Sequence, residues 1–213
     1  MAGATGATGQ VLTPMARAEE IEFVPHVRPK SAAVAPPGAA IVDLGDAAAL
    51  AKAMKGCTTV VQLIGTMRKR FASGDTYETS DIGTTRQLVD AAKACGTVDH
   101  IVLLSSVGAG RPLGAYLKAK ARTEAIVTGS GLGWTIFRPS VLEGGDRGAA
   151  PAMRAITGAL GMAKYKPIRL EELAAAMLHV ALLRAPLGVA LEGRALWKIV
   201  DEAEDPAPRE GTC

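Results

Sequence analysis

The sequence predicts an α/β protein, a single domain in which a doubly wound parallel sheet carries helices on both faces. Three observations point there. Short runs rich in Val, Ile and Leu alternate with longer stretches of helical apolar spacing, the pattern of successive strand–helix units. The run Thr58–Ile64 (TTVVQLI) is almost continuously apolar, as expected of a strand covered on both faces. A glycine-rich stretch, Gly6-Ala7-Thr8-Gly9, opens the chain where a strand–turn–helix unit would place it. The 213 residues are enough for one full core.

In chain order, Met1–Thr5 reads as a short first strand, followed by the glycine turn and a helix to about Glu20. Pro14 suits the first turn of that helix, where its missing N–H matters little. A competing register spaces Gly3, Gly6 and Gly9 evenly, but leaves almost no chain for a preceding strand. The first register is preferred, and it puts Leu12 where a third glycine would let helix and strand pack closely. Ile21–Val27 reads as the second strand, with Pro25 implying a bulge or a short strand. Ala39–Val42 is the third, ending at Asp43. Ala47–Met54 reads as a helix, Thr58–Ile64 as the fourth strand, Thr84–Ala94 as a helix and Ile101–Leu104 as the fifth strand. Tyr116–Thr128 follows as a helix and Trp134–Phe137 as the sixth strand. Glu171–Leu183 carries Leu173, Met177, Val180 and Ala181 at helical spacing. Ala195–Val200 reads as a closing strand. The domain is expected to span residues 1–200, and the polar, Pro-containing end 201–213 to fray. There is no internal repeat and no linker.

Composition excludes several classes. The net charge of +3 is small and the cations are dispersed, which argues against a nucleic-acid partner. The tight cluster Arg68-Lys69-Arg70 reads as a solvated loop or a phosphate-facing edge. No apolar run reaches the ~18 residues of a membrane span, and the first residues lack a signal-peptide layout. Cys57, Cys95 and Cys213 form no CxxC spacing, so reduced thiols in a cytoplasmic protein are expected. His26, His100 and His179 are single and separated, so no metal site is expected.

The chemistry lies in two places. Tyr116 and Lys120 are four apart, hence on one helix face one turn from each other. An ammonium there can lower the phenol's pKa, so that the Tyr exchanges a proton with a carbonyl oxygen. The pair Ser105-Ser106 closes the preceding strand, and a hydroxyl there can hold the same oxygen. At the end of the second strand, an acid would hold the ribose hydroxyls of NAD and a base the extra phosphate of NADP. Arg28 and Lys30 stand there with no acid nearby, which favours NADP(H) over NAD(H).

These residues resemble the short-chain dehydrogenase/reductase superfamily, specifically its atypical members with a Rossmann-like NAD(P)-binding fold. GATGQVLTPMARA looks like their opening turn and first helix. LLSSVGAG, YLKAKARTEAIV and SGLGWTIFRPSVLEGG look like their fifth strand, active-site helix and sixth strand. The nucleotide-binding accessory subunit of respiratory complex I and its bacterial relatives have similar runs. VVQLIGTMRKRF is similar to a segment of the small flavin and biliverdin reductases. The resemblance covers the chain to about Leu183. It implies that Gly6, Thr8, Gly9, Gln10 and Val11 line the pyrophosphate turn and that Arg28 meets the 2′-phosphate. Asp43 and Leu44 would flank the adenine, and Leu63, Ile64 and Gly65 would pass along the ribose. Ser106 would polarise the substrate carbonyl with Ser105 as support, Tyr116 would donate the proton, and Lys120 would hold the nicotinamide ribose. Pro139, Ser140 and Val141 would pack beside the nicotinamide.

The departures are the third glycine and the minimal first strand. The region around 143–170 is too short for a separate substrate domain, and its small residues suit a lid over the nicotinamide end and equally a plain surface loop with one helix. Met153, Met162 and Tyr165 are its candidate substrate contacts, with Met67 and Phe71 on the loop Thr66–Tyr77 as the opposite wall. The leading expectation is an NADPH-dependent oxidoreductase passing hydride to a small carbonyl-type acceptor. A non-catalytic NADPH-binding sensor or assembly module, and a flavin or quinone reductase that dispenses with tyrosine acid catalysis, are the alternatives. A small-molecule substrate is the expected partner, and the protein is expected to be a monomer or homodimer.

Overall fold

The computed structural model describes residues 1–65, 74, 76–145 and 151–205. One parallel sheet organises them. Strand β1 (His26–Val27) pairs with β2 (Ala40–Ile41). Strands β3 (Thr59–Gln62), β4 (His100–Leu104), β5 (Gly133–Phe137) and β8 (Val189–Leu191) pair in that order. The N-terminal segment joins the two sets. The amide of His26 donates to the Met1 carbonyl at 2.8 Å, the amide of Ala2 to Val61 at 2.8 Å, and that of Leu63 to Ala2 at 2.9 Å. The full order is therefore β2–β1–N-terminal segment–β3–β4–β5–β8. The connections run outward in opposite directions from the N-terminal segment and β3, and a crevice opens at such a reversal.

The apolar strands serve both faces by alternation. Val61, Val102 and Phe137 face one core with α1 (Ala7–Ala18), α6 (Leu170–Leu183) and α7 (Arg194–Glu204). Val60, Ile101, Leu103 and Ile136 face the other, against α2 (Ala47–Met54), α3 (Thr84–Cys95) and α4 (Gly114–Thr128). The Asp46 side chain caps α2 by accepting from the Ala49 amide at 2.9 Å. A π-helical turn, Tyr77–Gly83, runs directly into α3. Beyond β5, β6 (Leu142–Glu143) and β7 (Ile168–Arg169) form a small parallel pair, with α5 (Pro151–Ala159) between them in sequence.

Four expectations need correction. Ala195–Val200 is not a strand but part of α7. Its buried residues Leu196, Trp197, Ile199 and Val200 follow a helical period that β-rich composition concealed. The closing strand is β8, whose 3 residues are too few to show a strand pattern in the sequence. Residues 201–204 belong to α7 and not to a frayed tail, while 206–213 lie outside the described residues. Pro14 sits inside α1, not in its first turn. The carbonyl that loses a partner to it is that of Gln10, an exposed residue, so water can serve it. The second strand is shorter than Ile21–Val27, beginning just after Pro25.

Candidate dinucleotide and reaction site

The glycine turn adopts the evenly spaced register of Gly3, Gly6 and Gly9, and not the expected one with a Met1–Thr5 strand. Met1–Gly3 is the strand segment, and Gly3 ends it at φ +99°, a conformation that L side chains rarely adopt. A Cβ on Gly3 would come within 3.1 Å of the Leu63 and Ile64 backbone. The Gly6 amide closes the turn on the Gly3 carbonyl at 3.0 Å, and Gly6 is the N-cap of α1 with no side chain capping the helix. A Cβ on Gly9 would lie 2.2 Å from the Gly3 carbonyl oxygen and 2.8 Å from the Ala4 Cα. Gly9 is therefore the glycine of close helix–strand contact. Leu12 replaces no glycine; it is a core residue, 2% exposed. The signal that could have revealed this was the even spacing of Gly3, Gly6 and Gly9.

A cleft opens outside the carboxyl ends of these strands. Gly3, Thr5 and Gly6 form its floor, Val27 and Arg28 one wall, and Leu63, Ile64 and Gly65 the other. The uncapped start of α1 presents amides and the positive end of its dipole, which suits a pyrophosphate. His26 also reaches this cleft, its Nε2 2.9 Å from the Val42 carbonyl oxygen. Burial pushes its imidazole below the ordinary value, with the Val42 hydrogen bond opposing, so the ring is neutral near pH 7.

The reaction side lies at the ends of β4 and β5. The Ser105 amide donates to the Phe137 carbonyl and that of Val107 to Pro139, both at 2.8 Å, so the two strand ends are held together. The Ser105 hydroxyl donates to Glu124 Oε1 at 2.5 Å, and Arg138 holds the same carboxylate through Nε at 2.9 Å and Nη2 at 2.6 Å. Ser105 thus supports the turn, and half-buried Ser106 is the hydroxyl left beside it. Tyr116, on the first turn of α4, is 37% exposed, whereas Lys120 is buried. The Lys120 ammonium lies 5.9 Å from the centre of the Tyr116 ring and 3.0 Å from Asp81 Oδ1. Tyr77 stacks obliquely on Tyr116 at 5.9 Å.

A family model described as NAD(P)H-binding matches residues 3–182. The chain belongs to the NAD(P)H-binding family. Its matched span begins at Gly3, the first glycine of the observed turn. No curated protein matches the chain. Among solved structures it is similar to MoeE5 in complex with UDP-glucose and NAD, at 18% identity and TM-score 0.66, covering 95% of this chain and 79% of that one. It is similar also to the NADPH-dependent quinone oxidoreductase QOR2 of Escherichia coli complexed with NADPH, at 21% identity and TM-score 0.64, covering 90% and 67%. A third is a short-chain dehydrogenase/reductase superfamily protein from Agrobacterium tumefaciens with bound NAD, at 16% identity and TM-score 0.67, covering 94% and 80%. These likenesses establish the Rossmann-like fold, in keeping with the resemblance to atypical short-chain dehydrogenase/reductases.

In this NAD(P)H-binding chain the residues singled out from sequence take different positions. Gly6, Arg28, Leu63, Ile64 and Gly65 line the cleft. Thr8 and Gly9 are buried in the first turn of α1, Gln10 points outward, and Val11 packs on the core. Lys30 is exposed on the 3₁₀ segment Pro29–Val34. Asp43 Oδ1 accepts from the Gly45 amide at 2.8 Å, and Leu44 is a core residue. Pro139 is buried, the Ser140 hydroxyl donates to the Lys166 carbonyl at 2.6 Å, and Val141 is 47% exposed. Met153, Met162 and Tyr165 are exposed on or just after α5. Met67 and Phe71 lie outside the described residues, as does Arg68-Lys69-Arg70. Among the described residues no helix is long and apolar enough to cross a membrane. Thr5, in the cleft lining, and Asp81, beside Lys120, carry no motif that marks them in the sequence.

Proposed function

We propose that this chain is an NADPH-dependent oxidoreductase acting on a small carbonyl-type or quinone acceptor. The observation that carries the reading is the position of Lys120. A Cβ on Gly65, in the cleft wall, would come within 2.8 Å of the Lys120 ammonium. The helix that carries Tyr116 and Lys120 therefore reaches the Gly65 wall of the dinucleotide cleft. The glycine cradle fits a dinucleotide, because side chains at Gly3 or Gly9 would fill it or force α1 away.

Gly6 and the first amides of α1 would hold the pyrophosphate. Arg28, at the end of β1, would meet a 2′-phosphate, which favours NADPH over NADH. Bound cofactor would supply the hydride. Ser106 would hold the acceptor oxygen while Tyr116 passes it a proton. The likeness to a quinone oxidoreductase and the open position of Tyr116 keep quinones among the acceptors, and quinone reduction needs less help from the phenol.

The test is titration with NADPH and NADH, read through Trp134 and Trp197 fluorescence, followed by turnover of Tyr116→Phe. Preferred NADPH binding, and turnover of a carbonyl acceptor lowered by about 10²-fold or more with binding intact, is the expected result. Retained turnover of a quinone would assign the quinone reaction without tyrosine acid catalysis. Binding without turnover of any acceptor would make the chain a cofactor-binding module.

A further inference from the structure

The Lys120 ammonium does not stand free beside Tyr116. It is paired at 3.0 Å with Asp81, whose side chain is 1% exposed. A buried carboxylate is costly to ionise without a partner, and a buried ammonium likewise, so each fixes the other. Asp81 lies in the π-helical turn, and such turns recur at functional sites. Its backbone is anchored to the cleft wall by a buried relay. The Asp81 carbonyl accepts from the Thr85 hydroxyl at 2.7 Å, Thr85 Oγ1 accepts from Gln62 Nε2 at 3.2 Å, and Gln62 Oε1 accepts from the Ile64 amide at 2.9 Å. A second tie holds the same turn to α4: Arg122 donates to both Glu78 oxygens, at 2.6 and 3.0 Å. Gly65 supplies the opening. A Cβ there would lie 3.4 Å from Asp81 Oδ1 and 2.8 Å from the ammonium, so any other residue at 65 would crowd the lysine's head where it faces the cleft.

We propose that Asp81 is the positioning residue of this site, holding the Lys120 ammonium against the Gly65 opening so that it meets the ribose of a bound dinucleotide. The acid acts through Lys120 and touches no substrate itself. Gly65 belongs to the same device, because it removes the one side chain that would stand between the ammonium and the cleft. The inference deepens the reading of the cleft given above and rests on it.

The experiment is a double-mutant cycle read by NADPH titration of the whole chain through tryptophan fluorescence. Asp81→Asn, Lys120→Met and Gly65→Ala should each weaken NADPH binding by about tenfold, the effect of losing one charge-assisted contact. In the Lys120→Met background, Asp81→Asn should weaken it no further, whereas Asp81→Glu with Lys120 present should bind NADPH more weakly than wild type and more tightly than Asp81→Asn. In steady-state assays with a soluble naphthoquinone, KM for NADPH should rise while KM for the quinone holds. A further check uses no cofactor: an amine-reactive reagent read by mass spectrometry should label Lys120 several-fold faster in Asp81→Asn. If Asp81→Asn binds NADPH like wild type, or adds its full effect on top of Lys120→Met, the acid is merely structural and the proposal is wrong. Should Asp81→Asn not fold, Asp81→Glu decides, since it shifts the carboxylate while keeping its charge: wild-type NADPH affinity with wild-type labelling of Lys120 would overturn the proposal. Failure of the wild type to bind either nicotinamide cofactor would instead overturn the reading of the cleft, and this inference with it.

Discussion

Arg28 and Gly9 carry the most testable single-residue consequences. Arg28 is the cation at the end of β1 in the cleft wall. Replacing it with Ala should weaken NADPH by about tenfold, or about 1.4 kcal/mol, and leave NADH nearly unchanged, as parallel titrations would reveal. An equal loss for both cofactors would mean that Arg28 does not read the 2′-phosphate. Gly9→Ala places a methyl 2.2 Å from the Gly3 carbonyl, where only backbone can yield. It should destabilise the fold by about 1–3 kcal/mol in urea titration and abolish cofactor binding. Gly158→Ala is the control: nothing lies within 4 Å of its added Cβ, and in α5 it should stabilise by about 0.5–1 kcal/mol.

Among the elements, α5 is tied to its neighbours by polar contacts. Arg154 donates from Nη1 to Glu172 Oε2 at 2.8 Å and also pairs with Glu172 Oε1, so it ties α5 to α6. The same guanidinium lies 5.3 Å from the Trp197 ring of α7, and the Lys166 ammonium 3.6 Å from it. Burial would raise the Glu172 carboxyl, but hydrogen bonds from Arg154 and Arg169 outweigh it and hold the group below its ordinary value of 4.5. A depressed carboxylate stabilises above its unfolded pKa, and that contribution fades as pH falls through the lower folded value. Arg154→Met should therefore destabilise by about 1–3 kcal/mol at pH 7 and shift Trp197 emission. The same shift should appear in the wild type on acidification below about pH 4.5. An unchanged spectrum in Arg154→Met would mean that α5 is held by its other contacts.

For the whole molecule, the central sheet carries a pH-dependent burden. His100 lies on β4 at 1% exposure, its Nε2 3.0 Å from Thr135 Oγ1 on β5. Burial lowers its pKa from 6.5 to about 4, outweighing the opposing Asp99 charge. The folded state thus holds the ring neutral while the unfolded chain binds a proton. Stability is complete above about pH 6.5 and falls as the pH drops toward 4. Linkage gives a loss of at most about 2 kcal/mol between pH 7 and 5 from this residue. Denaturant titrations at the two pH values measure it, and His100→Asn should flatten the difference. His26, lowered by burial as well, acts with the same sign.

The sequence alone determined the class of fold and most helices, because alternation of apolar runs and 3.6-residue spacing are local properties. It also singled out Arg28, Ser105, Ser106, Tyr116 and Lys120, since side-chain chemistry at a set spacing survives without coordinates. The tertiary structure alone decided the rest. The glycine register was settled by the closeness of Gly9 to Gly3, which no spacing rule measures. Met1–Gly3 suffices as a central strand because β1 and β3 supply its partners from far along the chain. The partnership of Asp81 with Lys120 joins residues 39 apart through a packed turn, and sequence offers no period that links them. Long-range hydrogen bonds and the burial of charge are set by packing, and packing is what the linear order of residues leaves unsaid.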